Sequence, residues 1–129
     1  MTSHVEARGA SAVHIRWAPE VADHDYAAAE AYLSLKLGED KVAKLVRRLR
    51  EAPLTTRRAN DILRAALLTP APLDDPGVMN DLTKAIEGKE LSPVLVVGGK
   101  MRTDIADGFH RVSFVYRLDP HAEVPLKLA

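Results

Sequence analysis

The hydrophobic pattern of the chain changes near residue 90, and this change limits the folds that the chain can adopt. From residue 25 to residue 87, apolar residues recur three and four positions apart, which is the spacing of amphipathic helices. Residues 91–97 then form a short, almost continuous apolar run that ends in Gly98-Gly99, a pattern typical of a buried strand and a tight turn. The sequence therefore predicts an α+β fold in which a helical N-terminal portion is followed by a small mixed sheet.

Four helices are predicted before residue 90. Asp25 is the predicted N-cap of the first helix and Gly38 its predicted end, while Thr55 or Thr56 caps the third. Asp75 stands directly before a proline, which is a common start of a helix. The predicted helices cover residues 25–37, 40–51, 56–68 and 76–87, and an alternating strand at residues 12–17 precedes them.

The last forty residues predict a β-β-α-β unit. The apolar run and residues 101–107 form a hairpin, Asp107 caps a helix that extends to about residue 118, and residues 123–129 form a final strand. We expect one domain over residues 1–129, in which residues 12–90 form the strand and helical portion and residues 91–129 form the β-β-α-β unit.

Composition narrows the classes of function. The chain has 129 residues, with 18 basic side chains, 18 acidic ones and no cysteine. The balanced charge gives no general attraction to nucleic acid, and the lack of cysteine excludes thiol catalysis and disulfides. No apolar run approaches the ~20 residues of a membrane span, and the N-terminus lacks the apolar region of a secretory signal. We therefore expect a cytoplasmic protein without a membrane partner, with any disorder chiefly at residues 1–11.

A polar corner is predicted where the hairpin meets the last helix. Asp107 and Gly108 form a tight turn, so the free backbone N–H groups at the start of the helix can receive an anion. Arg111 can make a forked contact to a phosphate, and His110 can donate to the same anion or transfer a proton. Asp107 can cap the helix or hold Mg²⁺ bound to a phosphate. We predict Gly108, Phe109, His110 and Arg111 as ligand-binding residues, and His110 and Asp107 as the catalytic candidates.

The same residues also have structural interpretations. An Asp-Gly turn before a helix is common without any ligand, and a histidine with no second catalytic group beside it in the sequence is more often structural. Arg111 can pair with Asp107 or Asp104 instead of a phosphate. The residues alone leave open whether the corner binds a ligand and whether the protein is an enzyme.

The remaining polar cluster favours helix capping over a metal site. Asp23, His24 and Asp25 precede the first predicted helix, where acidic side chains satisfy free N–H groups. The other histidines are isolated, and no H-x-x-x-H spacing occurs.

The C-terminal unit resembles the ParB/sulfiredoxin-like domains. The residues that carry this resemblance are the Pro-containing run at 91–97, the Gly98-Gly99 turn, the corner from Ile105 to Arg111, and Val124-Pro125. The resemblance covers residues 91–128 and implies a nucleotide site whose phosphate is bound by Gly108, His110 and Arg111. Members of this family hydrolyse CTP to clamp DNA, phosphorylate free serine, or repair oxidised peroxiredoxin with ATP.

Departures from the family narrow the implied activity. Sulfiredoxins need a cysteine beside the corner, where Phe109 stands in this cysteine-free chain, so that chemistry is excluded. The CTP motif places Glu and two Arg after its Gly, whereas Phe109, His110 and Arg111 follow Gly108 here. The resemblance thus implies binding of a nucleotide or another phosphorylated small molecule, with Mg²⁺ as its companion and phosphoryl transfer or nucleotide hydrolysis as the chemistry it allows.

The alternative function is non-enzymatic and uses the basic helices in residues 40–66. Over residues 39–64, eight basic side chains outnumber four acidic ones. If the second and third predicted helices pack as a helix-turn-helix, the start of the third enters a DNA groove. The same helical face could instead bind a protein partner. The side chains predicted to contact DNA are Arg47, Arg48, Arg50, Arg57 and Arg58.

Overall fold

A computed structural model describes residues 2–6 and 12–129. These residues form the α+β arrangement that the sequence predicts. None of the helices in them is long and apolar enough to cross a bilayer. The helices are α1 (Asp23–Leu33), α2 (Glu39–Glu51), α3 (Ala59–Ala65), α4 (Pro76–Ile86) and α5 (Phe109–Leu118). The strands are β1 (Thr2–Glu6), β2 (Ala12–Trp17), β3 (Thr55–Arg58), β4 (Glu90–Leu91), β5 (Val94–Val97), β6 (Asp104–Asp107) and β7 (Glu123–Leu128).

The C-terminal unit forms most of a four-stranded sheet with the order β3-β7-β5-β6. β5 and β6 are antiparallel, and β7, which follows α5, lies parallel to β5 on its other side. The predicted order of strand, strand, helix and strand is confirmed. Val94 and Val96 pack on one face of the sheet, and Leu95 and Val97 pack on the other. Both faces of β5 are therefore buried, which explains its continuous apolar run.

Helices cover both faces of this sheet. α1 and α2 form a core with Leu95 in which Leu33 and Leu49 are buried. On the opposite face, α3, α4 and α5 form a larger core that contains Trp17 and Phe114, both fully buried. β6 is an outermost strand of the sheet, so the corner between β6 and α5 lies at the sheet edge.

The two N-terminal strands and β4 form a second, separate sheet with the order β1-β2-β4. The sequence predicts one mixed sheet, but Pro93 separates β4 from β5 and has no N–H group with which to continue a ladder. Residues 2–6, which fall in the segment expected to be disordered, pair antiparallel with β2. Residues 1 and 7–11, the rest of that segment, lie outside the described residues.

The helix predicted over residues 56–68 is wrong at its start. Thr55–Arg58 form β3, which pairs antiparallel with β7, and α3 begins only at Ala59. Thr55 and Thr56 are β-branched and favour a strand, and pairing with β7 satisfies backbone groups that a local cap would leave exposed. Since α2 and α3 also pack on opposite faces of the sheet, they do not form the predicted helix-turn-helix.

Both predicted boundaries of the first helix also shift. Ala22 occupies the N-cap position of α1, and Asp25 lies inside the first turn rather than capping it. α1 ends at Leu33, and Gly38 occupies the N-cap position of α2 with φ −68° instead of ending α1 in a left-handed conformation. The side chain of Asp25 therefore does not cap α1 and is free to contact other parts of the fold.

Candidate functional site

The predicted corner lies where β6 ends and α5 begins. Gly108 has φ 106°, a left-handed conformation that favours glycine, and occupies the N-cap position of α5. The prediction that Asp107 caps this helix is wrong, because no side chain caps α5 and the Asp107 carboxylate accepts a hydrogen bond from Arg111 instead. The positive end of the α5 dipole is therefore not neutralised by a capping carboxylate.

Arg111 joins segments that are far apart in the sequence. Its Nη1 donates to Oδ2 of Asp25 at 3.0 Å and to the carbonyl oxygen of Ser92 at 2.8 Å, while Nη2 donates to Oδ2 of Asp107. The side chain of Arg111 is only 13% exposed and that of Asp25 only 8%. Of the two structural partners predicted for Arg111, Asp107 is the one it contacts, and Asp104 belongs to a different cluster.

The two carboxyl groups on Arg111 differ in acidity. Burial tends to raise the pKa of Asp25, but the hydrogen bond with Ser92 and the charge of Arg111 outweigh burial and lower this pKa below its ordinary value. Burial is the main cause that raises the pKa of Asp107, and the Asp25 carboxylate adds to it against the attraction of Arg111. Asp25 is thus the firmly ionised partner of Arg111.

His110 is held by a side chain at the start of α4. Its Nδ1 lies 2.8 Å from Oδ2 of Asp75. The same carboxylate oxygen accepts the backbone N–H groups of Gly77 at 2.9 Å and Val78 at 3.1 Å, which confirms the predicted N-cap of α4. The hydrogen bond from Val78 and the nearby charge of His110 lower the pKa of Asp75 although burial opposes them. The imidazole itself is 53% exposed, so one ring edge is anchored and the other is accessible.

A cavity of about 450 Å³ runs along β6. Asp107, Gly108, Phe109 and His110 line one end of it, whereas Arg111 is not part of the wall. Its volume is in the range of small-molecule sites. The remaining wall residues come from α1, from the end of α3 and from the β6 segment, and they are Ala28, Tyr32, Ala66, Leu68, Arg102, Thr103, Asp104, Ile105 and Ala106.

Polar groups cluster at the far end of this cavity. Asp104 accepts hydrogen bonds from Oη of Tyr32 at 3.0 Å and Nζ of Lys36 at 2.7 Å, and Arg102 lies 3.9 Å away. Burial tends to raise the pKa of Asp104, but the bonds from Lys36 and Tyr32 outweigh burial and lower this pKa. Oγ1 of Thr103 is buried and has no hydrogen-bond partner among the described residues.

Three residues of the site, Asp25, Asp75 and Ser92, were not predicted from the sequence as parts of it. Asp25 is 86 positions from Arg111 and Asp75 is 35 positions from His110, so no local spacing connects either pair. The sequence offers one signal, an excess of acid in the first turn of α1, where Asp23 and Asp25 are more than a helix start requires. The contact of Asp75 with His110 on α5 is not indicated by any local sequence pattern.

The arginines predicted to contact DNA are not arranged on a helix-turn-helix, as the prediction requires. Arg50 stacks on the ring of Tyr26 at 4.2 Å, and Arg58 pairs with Asp61 at 3.0 Å. Arg57 and Arg58 lie in the edge strand β3 rather than at the start of a helix. All five side chains are exposed: Arg47, Arg48 and Arg50 on α2, and Arg57 and Arg58 on β3.

Asp81, near Arg111 and His110 on α4, gives a prediction about stability. Asp81 is only 6% exposed, and burial raises its pKa against the charges of Arg111, Lys84 and His110. As pH rises above the ordinary value of 3.8, the unfolded chain loses this proton before the folded chain does, so folding stability falls. We expect Asp81→Asn to raise the free energy of unfolding at pH 7 by about 0.5–2 kcal/mol, measured in urea.

The gain from Asp81→Asn should be absent at pH 3, where the carboxyl is protonated in both states. Asp74→Asn is the matched control, because Asp74 is exposed just before α4 and its replacement should change stability little at either pH. A variant Asp81→Asn that is less stable than the wild type at pH 7 would contradict the prediction.

The described residues contain no group of three or more His, Asp or Glu side chains that could hold a metal ion by themselves. Comparison of the chain with protein-family models, curated proteins and solved structures finds no match. The resemblance of residues 91–128 to ParB/sulfiredoxin-like domains therefore stays a prediction, and the function has to be argued from the site.

Proposed function

We propose that the cavity along β6 binds a phosphorylated small molecule of nucleotide size, with its phosphate at the start of α5. The observation that carries this proposal is that the uncapped N-terminus of α5 and the accessible edge of His110 meet at one end of a cavity of about 450 Å³. Backbone N–H groups at a helix start and a protonated imidazole are both effective donors to phosphate oxygens.

In this proposal Arg111 acts behind the cavity wall and does not touch the ligand. Its guanidinium is committed to Asp25, Asp107 and Ser92. Turning it toward a phosphate would leave the buried Asp25 carboxylate without its counter-ion, which is costly in a protein interior. The phosphate contacts therefore fall to the backbone of Phe109 and to His110.

The length of the cavity favours a nucleotide over a single phosphate group. At about 3.3 Å per residue, the part of the cavity wall formed by β6, from Asp104 to Asp107, is roughly 10 Å long. The ring of Tyr32 offers a surface for a planar group at the far end, where Arg102 offers a polar contact. Mg²⁺ would arrive bound to the phosphates, with Asp107 as its carboxylate contact, because Mg²⁺ commonly combines substrate phosphates with one or two protein carboxylates.

Thermal unfolding with added ligands tests this proposal. The wild-type protein is measured with ADP, ATP, CTP, adenosine and inorganic phosphate, each with and without Mg²⁺. A ligand at one hundred times its Kd, bound only to the folded chain, should add about 2.7 kcal/mol of stability. We expect a nucleotide to give this shift and the two fragments to give smaller ones, and we expect His110→Ala to lose most of it.

The control variant is His121→Ala, because His121 is exposed in the turn between α5 and β7, away from the cavity lining. It should respond to nucleotide as the wild type does. The absence of any shift at millimolar nucleotide, or an equal shift in His110→Ala and the wild type, would contradict the proposal. If a nucleotide binds, turnover assays would test whether the protein hydrolyses it or transfers its phosphate.

No contact in the described structure favours the alternative of DNA binding, because the helix-turn-helix on which it depends is not formed. Binding of a protein partner by the exposed face of α2 is likewise supported by no specific contact among the described residues.

A further inference from the structure

We infer that Asp75 is the positioning residue of the site: it anchors Nδ1 of His110 and leaves Nε2 as the nitrogen that meets a ligand in the cavity. The role of Nε2 toward a ligand rests on the proposed function, whereas the positioning of the ring does not.

The contact between Asp75 and His110 lies at the N-terminus of α4, where Asp75 is the N-cap residue. Oδ2 of Asp75 lies 2.8 Å from Nδ1 of His110, within hydrogen-bonding distance, while it also accepts the N–H groups of Gly77 and Val78. These two backbone bonds fix the carboxylate on the helix end, so it cannot follow the imidazole if the ring rotates. Rotation of His110 therefore breaks a charge-assisted hydrogen bond, and the observed orientation is favoured.

Gly77 provides the space for the ring. A Cβ atom at this position would lie 2.6 Å from Cγ and 2.7 Å from Nδ1 of His110, distances that real Cβ atoms do not reach. The imidazole thus packs directly on the backbone of the first turn of α4. In the short segment Asp75-Pro76-Gly77, Asp75 caps α4 and Pro76 begins it. Gly77 leaves room for the side chain of His110, which lies 33 residues later in the chain.

The anchored tautomer has a chemical consequence. A neutral imidazole has one N–H donor and one acceptor nitrogen, so a proton on Nδ1 leaves the lone pair on Nε2. Nε2 can take a proton from a ligand hydroxyl or a water: the new N–H bond uses the lone pair of Nε2, and the electron pair of the broken O–H bond stays on oxygen. The resulting imidazolium faces the Asp75 carboxylate, and it can then donate to a phosphate.

Three other charged groups lie on the two helices that carry this contact. The charges of His110 and of Arg111 on α5 both act on the carboxyl of Asp81 on α4, against the burial that raises its pKa. Lys84 acts on the same carboxyl from the next turn of α4. None of the three forms an ion pair with His110 in the described part of the chain, whereas Asp75 does, so replacing Asp75 should change the tautomer while replacing the others should not.

Two substitutions at Asp75 separate its helix-capping role from its positioning role. Asp75→Ser keeps a good N-cap residue, but its shorter side chain does not reach His110. Asp75→Asn keeps an acceptor oxygen at similar reach and removes only the charge. The pair of variants therefore preserves α4 in both cases and retains the contact to His110 in just one.

The first measurement is the tautomer of neutral His110, observed by ¹⁵N NMR of the imidazole nitrogens and assigned with His110→Ala. We expect the proton on Nδ1 in the wild type and in Asp75→Asn, and a shift toward the Nε2–H form in Asp75→Ser. An Nε2–H tautomer in the wild type, or an unchanged tautomer in Asp75→Ser, would overturn the inference even if nucleotide binds.

The second measurement is ADP affinity in a double-mutant cycle. We expect Asp75→Ser to weaken binding about tenfold, the lower end of the loss seen when a residue that orients a metal-binding histidine is replaced, and to have no further effect when His110 is already alanine. A loss of the same size in both backgrounds would show a role of Asp75 that is independent of His110 and would overturn the inference. If ADP binds neither protein while the wild-type tautomer is as expected, the proposed function fails and the positioning of His110 stands.

Discussion

Arg111→Met is expected to lower the free energy of unfolding by about 3–5 kcal/mol at pH 7, the cost of removing one partner from a buried ion pair. The guanidinium is 13% exposed and is the counter-ion of Asp25, which is 8% exposed, and of Asp107. Methionine fills a similar volume, so the loss reports the charge and the hydrogen bond to Ser92 rather than an empty cavity. Because a domain of this size has about 5–15 kcal/mol in total, much of its stability should be lost.

The loss caused by Arg111→Met should shrink as the pH falls. Arg111 lowers the pKa of Asp25 in the wild type, so the wild type loses that stabilisation as Asp25 becomes protonated at acidic pH. In the variant, Asp25 and Asp107 are buried without a cation, and protonation removes an unfavourable charge instead. The two stability curves, measured by urea unfolding between about pH 3 and pH 8, should therefore converge toward acid.

Two further variants test the ion-pair explanation. Arg64→Met is the matched control, because Arg64 is 74% exposed in its pair with Asp61 and should cost less than about 1 kcal/mol. Replacing Asp25 and Asp107 by asparagine in the Arg111→Met background should recover part of the lost stability. The explanation fails if Arg111→Met is no more destabilising than Arg64→Met.

Gly108→Ala is expected to lower the free energy of unfolding by about 2–5 kcal/mol, through two effects that act together. Its φ of 106° is strained for any residue with a Cβ, at about 1–2 kcal/mol, and the added methyl group overpacks the site at about 1–3 kcal/mol. The new Cβ would lie 2.8 Å from Cγ2 of Val94, which is fully buried in the sheet and has nowhere to move. It would also lie 3.1 Å from Nη2 of Arg111, so the ion pair should be disturbed.

A double-mutant cycle separates the clash from the backbone strain. Val94→Ala removes both methyl groups that the new Cβ would meet, so the double variant should be more stable than the sum of the single effects by about 0.5–3 kcal/mol. Gly38→Ala is the control, because Gly38 has φ −68° and a Cβ atom there would meet nothing within 4 Å beyond its chain neighbours. Urea unfolding of Gly108→Ala that matches Gly38→Ala would contradict the prediction.

Local signals in the sequence were enough for most helices and for the C-terminal unit. The three-and-four spacing of α2, the Asp75-Pro76 start of α4 and the apolar run of β5 each depend on neighbours within a few residues. The Asp-Gly corner was located for the same reason, since Gly108 is the residue that a left-handed start of α5 favours.

Long-range pairing overruled local preference elsewhere. Thr55 and Thr56 have the side chains of helix caps as well as of strand residues, and only β7, about 70 positions later, decides between the two. The division into two sheets likewise depends on which strands meet, and no spacing along the chain encodes that choice.

Turns, caps and hydrophobic periods act over a few residues, so the amino-acid sequence predicts an α+β protein with a polar corner at residues 107–111. The contacts inside that corner depend on packing between elements that are far apart in the chain. Packing of α1 against β6 brings Asp25 to Arg111, and packing of α4 against α5 brings Asp75 to His110. These contacts turn Arg111 inward and leave His110 at the cavity, because a buried carboxylate requires its counter-ion and an exposed imidazole does not.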